Sequence, residues 1–261
     1  MSLALVRIAA LDLRTRSDHR AELASQLLLG ELVRVSSASP DRQWRRVRSE
    51  EDGYGGWVRT WGLCATTPAE ARRWRSRGVR VRTLFTEALD RPGRGARVAP
   101  LTWNARVLPL GTRGRFTRVR IPGGAVGWVR TTDLRSGEET VTLASRARTL
   151  LGAPYLWGGR TPAGLDCSSL TQLMLLDRGI QAPRDARDQQ LWATPLDGSL
   201  RAGDLVFFGR TRKAGHVGLV LSGRSYLHCR GTVQVASLDP RSPVYDRELG
   251  RQYLGAGRPP A

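Results

Sequence analysis

Two stretches of this chain end in the same way, 71 residues apart. "YGGWVRTWGL" (54–63) and "AVGWVRTTDL" (125–134) share Gly-Trp-Val-Arg-Thr and a later leucine. Each follows a short alternating stretch, "WRRVRS" (44–49) or "FTRVRI" (116–121), across a glycine-bearing turn. Before these lie "GELVRVSS" (30–37) and "ARVLPLG" (105–111). Short alternating strands joined by Gly-rich turns at this spacing specify small β-barrels. The repeat therefore predicts two of them, at 1–65 and 79–136, with 66–78 as a linker or short helix. Trp57 and Trp128 are expected in the barrel cores, beside the neighbouring valines. Tyr54 is different, because the second copy has Ala125 there and the fold does not require an aromatic. Glu22 likewise has no evident counterpart in the second copy.

The texture changes near residue 138. "EETVTLASRARTLLG" (138–152) carries apolar residues at Val141, Ala144, Ala147, Leu150 and Leu151, which is helical spacing ended by Gly152 and Pro154. The strand-like runs 203–209, 216–223 and 225–231 come later. Helices first and strands afterwards predict an α+β domain over 137–261.

Charge narrows the partners. The 42 Lys and Arg residues outnumber 23 Asp and Glu, for a net charge of +19, and Lys213 is the only lysine. Such a balance suits an anionic wall polymer or membrane surface as well as nucleic acid. The arginines are scattered, and no groove-reading motif accompanies them, so no specific nucleic-acid binding is expected. No run approaches the length of a transmembrane helix. The start, "MSLALVRIAALDLRTR", has no basic n-region and does not read as a signal peptide, which predicts a cytoplasmic protein. The alternative is an exported one whose signal peptide lies outside this sequence.

Three widely spaced cysteines do not make a disulfide framework. One of them sits in "LDCSSLTQL" (165–173), a polar helix start. Asp166 or Ser168 would cap that helix, whose apolar side carries Leu170, Leu173 and Met174 and which would stop at Gly179. The unpaired N–H groups and dipole at such a position are expected to lower the Cys167 pKa and to serve as an oxyanion hole. A thiolate nucleophile also needs a base. Of three histidines, His216 begins one strand-like run and His228 ends the next, across a turn at 222–225. Antiparallel pairing about that turn brings 216 and 228 nearly opposite, so one can act as base and the other can orient it. A zinc site from Cys167, His216, His228 and Cys229 is the rival, but adjacent His228 and Cys229 point to opposite faces of a strand. Arg184 and Asp185 are expected to pair with each other.

The order of "PYLWGGRTPAGLDCSSL", "PRDARDQ", "RAGDLVFFG", "HVGLVL" and "SYLHCRG" resembles that of the NlpC-type cysteine peptidases, papain-like enzymes that cut peptidoglycan peptides. The first half resembles bacterial SH3-like domains. The resemblance implies Cys167 as nucleophile, His216 as base, His228 as the third polar residue and Tyr155 as a support near the oxyanion. Two SH3-like domains before such a peptidase are similar to the γ-D-glutamyl-L-diamino acid endopeptidases. That likeness implies substrates with a free N-terminal L-Ala, held by Asp166 and Ser168 with Glu22 and Tyr54 of the first barrel. Trp157 is a candidate substrate-groove residue, with packing beneath the groove as the alternative. Ala186 stands where some relatives have serine. The implied partners are peptidoglycan stem peptides, with no metal, cofactor or obligate protein partner. Two other readings remain: an amidase or acyltransferase on the same fold, or a wall-binding protein with a vestigial peptidase.

Overall fold

A computed structural model describes residues 2–135 and 142–260. The chain divides into two compact units, Met1–Glu139 with Arg160–Pro162, and Thr140–Gly159 with Ala163–Ala261. Val141, at the start of the helix expected before Gly152, lies outside the described residues, as does the expected boundary at 136/137.

The first unit opens with seven strands: β1 (Ser2–Val6), β2 (Ala10–Arg14), β3 (Leu23–Leu28), β4 (Leu32–Ala38), β5 (Trp44–Ser49), β6 (Gly55–Arg59) and β7 (Leu63–Thr66). They form one sheet in the order β3-β2-β6-β5-β4-β1-β7. Helix α1 (Pro68–Arg77) follows, and then β8 (Val79–Arg80), β9 (Phe85–Arg91), β10 (Arg94–Thr102), β11 (Arg106–Arg113), β12 (Phe116–Arg120) and β13 (Val126–Arg130). These six order as β10-β9-β13-β12-β11-β8. Strands β2-β6-β5-β4 and β9-β13-β12-β11 repeat one pairing pattern, as the duplicated Gly-Trp-Val-Arg predicts.

The repeated tryptophans correct one expectation. Successive strand residues face opposite sides, so Trp and Val of Gly-Trp-Val-Arg cannot both point inward. Val58 and Val129 are the buried pair. Trp57 and Trp128 are half-buried on the outer faces, opposite Arg46 and Arg118 on the neighbouring strands. The narrow interiors are filled by smaller side chains: Leu11, Leu13, Leu27 and Val47 with Val58, and Leu101, Val107 and Val119 with Val129.

Residues 68–77 are a helix with a packing role. Thr67 caps it by accepting from the Glu70 N–H, and Pro68 occupies a first-turn position where its missing N–H costs nothing. Trp74 is fully buried against Leu5 and Leu32 from one sheet and Leu108 from the other. The two sheets also meet through backbone. The Arg106 N–H donates to the Leu29 carbonyl at 2.8 Å. Gly30, at φ +81°, lies so near that a Cβ would come 2.0 Å from the Arg106 carbonyl oxygen. The half-buried Glu51 carboxylate pairs there with Arg80 at 2.7 Å and Arg106 at 3.2 Å.

Residues 160–161 form the short β14 (Arg160–Thr161). The second unit holds α2 (Leu143–Leu150), β15 (Gly164–Leu165), α3 (Cys167–Leu176), α4 (Ala186–Trp192), β16 (Thr194–Leu196), β17 (Leu205–Phe208), β18 (His216–Ser222), β19 (Ser225–Arg230), β20 (Thr232–Ser237), α5 (Arg247–Arg251) and β21 (Tyr253–Arg258). An antiparallel sheet in the order β16-β21-β17-β18-β19-β20 carries α3 against β18 and β19, which is the expected α+β layout. All ten residues of α3 are buried, not only its apolar side. Its polar residues bond inside the domain: Thr171 donates to Gln189 at 2.7 Å and the Gln172 Nε2 to the Ala182 carbonyl at 3.0 Å. The helix ends at Leu176, and Gly179 takes φ +78° while the Ile180 N–H returns to the Leu175 carbonyl. Among the described residues no helix is long and apolar enough to cross a membrane.

Trp74→Ala removes the side chain shared by both sheets. It is expected to cost about 3–5 kcal/mol of stability, the usual range for emptying a buried aromatic site. Chemical denaturation checks this, and a change below about 1 kcal/mol contradicts the packing role.

Candidate active site

Cys167 is the first residue of α3, and its position is set by Asp166. Asp166 and Ser169 form a reciprocal cap: the Ser169 N–H donates to Asp166 Oδ1 at 2.7 Å, and the Asp166 N–H donates to Ser169 Oγ at 3.0 Å. The other Asp166 oxygen accepts from the Gly158 N–H at 3.0 Å. This ties the Tyr155–Gly159 loop to the helix start. Gly159 fits there only because it lacks a side chain, since a Cβ would lie 2.3 Å from the Gly164 carbonyl oxygen. The Leu156 N–H donates to the Leu165 carbonyl at 3.0 Å, so Tyr155 is anchored close to the cysteine. Trp157 is largely exposed on the same loop.

Arg184 completes the cap, reaching a carboxylate 18 residues away in sequence. Its Nη1 donates to Asp166 Oδ1 at 3.1 Å and its Nη2 to Oδ2 at 2.6 Å, a two-point contact between buried groups. Nη1 also donates to Ser168 Oγ at 3.0 Å, and that hydroxyl donates to Asp166 Oδ1 at 3.3 Å. The two residues expected to hold a substrate ammonium, Asp166 and Ser168, are thus already engaged, and the carboxylate charge is balanced.

The histidines come from β18 and β19, although the register differs from the simple hairpin. The observed pairing sets Gly218, not His216, opposite His228, with a one-residue bulge between Val220 and Ser222. The two histidines are diagonal neighbours on one face, and the rings still meet, with His216 Nε2 3.0 Å from His228 Nδ1 and the ring planes at 86°. His216 is left with Nδ1 for other work. On the opposite face of β19, Cys229 Sγ donates to the Leu165 carbonyl at 3.2 Å, so His228 and Cys229 do point apart.

Electrostatics overturn the expected low thiol pKa. Backbone N–H groups of Val217 and Ser168 and the Arg184 charge favour the thiolate, but burial and then the Asp166 carboxylate outweigh them and push Cys167 up to about 11. Burial pushes His216 down to about 3, helped by the neighbouring His228, and His228 down to about 4. Burial, with Cys167 and Asp166 adding to it, raises the Tyr155 hydroxyl to about 12, so it keeps its proton. The thiol and both imidazoles are thus held in their neutral forms.

Glu22 and Tyr54 belong to the first unit. Glu22 is exposed just before β3, and Tyr54 is half-buried against the core of the first sheet. The sequence did not point to the Arg184 grip or to the N–H groups of Gly158 and Val217. Backbone donors carry no residue-type signal, and Arg184 lies next to a closer carboxylate in sequence.

Residues 152–252 match the NlpC/P60 family, and residues 13–63 match the bacterial dipeptidyl-peptidase SH3 domain. The chain is 28% identical to the gamma-D-glutamyl-L-lysine dipeptidyl-peptidase of Bacillus cereus, over 91% of this chain and 75% of that protein. It is 29% identical to the protein of the same name from Bacillus subtilis, over 87% of this chain and 79% of the other. The crystal structure of an NlpC/P60 family protein from Bacillus cereus superposes with a TM-score of 0.83 at 24% identity, covering 98% of this chain and 99% of that one.

A neutral thiol is alkylated through its small thiolate fraction, which grows about tenfold per pH unit below the pKa. Iodoacetamide modification of Cys167, resolved by peptide mass spectrometry, is therefore expected to accelerate steadily from about pH 7 to about pH 10, following the raised thiol pKa. A rate already level near about pH 5 would mean a preformed thiolate–imidazolium pair and contradict this account.

Proposed function

We propose that this chain, which carries an NlpC/P60 domain behind a bacterial SH3 domain, is a cysteine endopeptidase that hydrolyses the γ-D-Glu–diamino acid bond of peptidoglycan stem peptides. The observation that carries the reading is the constellation in the second unit: a cysteine at the start of a buried helix, and an imidazole pair at 3.0 Å on the strands packed against it. The two relatives named for a gamma-D-glutamyl-L-lysine peptidase activity support the choice of bond.

In the proposed reaction His216 Nδ1 takes the Cys167 proton as sulfur attacks the γ-carbonyl carbon. His216 Nε2 meanwhile donates to His228 Nδ1, which holds the ring in the tautomer that leaves Nδ1 free. The developing oxyanion lies among the first-turn N–H groups of α3, with the protonated Tyr155 hydroxyl as a further donor. The imidazolium then protonates the leaving amine, and a thioester remains. The neutral imidazole next deprotonates water, which attacks the thioester and releases the glutamyl carboxylate, and the thiol regains its proton. A base whose pKa is held low by burial stays unprotonated at neutral pH.

The requirement for a free N-terminal L-Ala is part of the proposal, as is cytoplasmic recycling of stem peptides already freed from glycan. Asp166 would have to release one of its present donors to accept an ammonium, so the resemblance leaves Glu22 and Tyr54 as the residues to test first.

Purified protein is expected to split L-Ala-γ-D-Glu-L-Lys between Glu and Lys. Cys167→Ala and His216→Ala should each lose activity by at least about a thousandfold, the scale seen when a nucleophile or its base is removed. Undiminished turnover in Cys167→Ala would sink the mechanism. The N-acetylated peptide should turn over far more slowly than the free amine. Equal rates would remove the amino-terminus requirement, as well as the recognition roles given to Glu22 and Tyr54.

A further inference from the structure

Arg184 is almost fully buried, yet it is not part of the nucleophile–imidazole set. It lies in the loop between α3 and α4, and all of its hydrogen bonds described above go to the two residues that flank Cys167. Asp166 accepts both guanidinium hydrogens, the Ser169 N–H that starts α3, the Gly158 N–H from the Tyr155 loop and the Ser168 hydroxyl. An arginine suits such a point because its planar fork matches both carboxylate oxygens and its charge cannot be lost on burial.

We propose that Arg184 is a positioning residue for the nucleophile: its two-point grip on Asp166 fixes the helix start that carries Cys167 and cancels the carboxylate charge beside the sulfur. This deepens the reading of Cys167 as nucleophile and rests on it. The groups facing the sulfur are few. Asp166 and Arg184 are the charged ones, acting in opposite directions on the thiol. Tyr155 on the preceding loop and Cys229 on β19 both interact with it and stay protonated, since burial raises each to about 12. From β18 come the Val217 N–H and its neighbour His216, which burial keeps neutral. Asp166 and Arg184 therefore form a balanced pair of opposite charges beside the sulfur. Removing either member unbalances it, and the two removals act with opposite sign.

That sign difference separates a positioning role from plain scaffolding. The test follows site-resolved alkylation of Cys167 against pH in the full chain, for the wild type, Arg184→Met, Asp166→Asn and the double variant. Asparagine keeps the helix cap, because it also accepts at that position. Arg184→Met leaves the carboxylate unopposed. Its alkylation profile should move to higher pH and run about tenfold slower at a fixed pH, the equivalent of one pKa unit. Asp166→Asn removes the negative charge beside the sulfur and keeps the guanidinium, and its profile should move to lower pH and run faster by a similar factor. The double variant should return close to wild type. Scaffolding alone predicts shifts of one sign in both single variants, or no shift, and either result overturns the proposal. If Arg184→Met does not fold, Asp166→Asn against the double variant decides the matter, since neither holds a buried carboxylate. The single variant should then react about tenfold faster, and equal rates overturn the proposal. Because alkylation reads the thiol itself, its outcome is separable from whether any peptide is cleaved.

Discussion

The carboxylate of Asp166 joins the separate parts of this site. One oxygen accepts from the first turn of α3, the other from the Tyr155 loop, and both accept from Arg184. Buried carboxylates are tolerated only when paired and hydrogen-bonded, and here both requirements are met. The consequence is that the position of Cys167, the proposed nucleophile, depends on three chain segments at once. The imidazole pair is fixed separately, by the pairing of β18 with β19 and by α3 packed across both strands.

Two opposing influences act on the Cys167 thiol. The helix start and two backbone N–H groups favour the anion, and burial opposes it. Burial wins, because the helix is enclosed on all sides and not only on an apolar face. The imidazoles are shifted in the complementary direction by the same burial. A neutral pair of this kind avoids holding two buried charges in the resting enzyme. In the proposed reaction, proton transfer is then coupled to attack on the substrate, where negative charge develops on the substrate oxygen instead of resting on sulfur.

Much of this was legible in the sequence. The duplicated Gly-Trp-Val-Arg gave two sheets of matching order, and the polar residues around Cys167 gave a capped helix start. His216 and His228 meet as a hairpin predicts. What could not be read is whatever depends on a third segment. Strand alternation separates Trp57 from Val58, but only the width of the barrel decides that valine goes inside. The bulge between Val220 and Ser222 shifts the pairing by one residue, and no residue type announces it. Arg184 has Asp185 beside it in sequence and Asp166 beside it in space. The thiol environment depends on how completely α3 is covered, which is a property of the packed domain.

The central claim is that Cys167 becomes acylated by the glutamyl carbonyl of a stem peptide. Acid-quenched mixtures of the enzyme and L-Ala-γ-D-Glu-L-Lys, read by intact-mass and peptide-mapping mass spectrometry, test it most directly. The account predicts a transient adduct of one Ala-Glu unit on the peptide that contains Cys167, formed with release of lysine and lost on further incubation. Release of lysine at full rate, with no adduct at any quench time and no protection of Cys167 from alkylation during turnover, would contradict it.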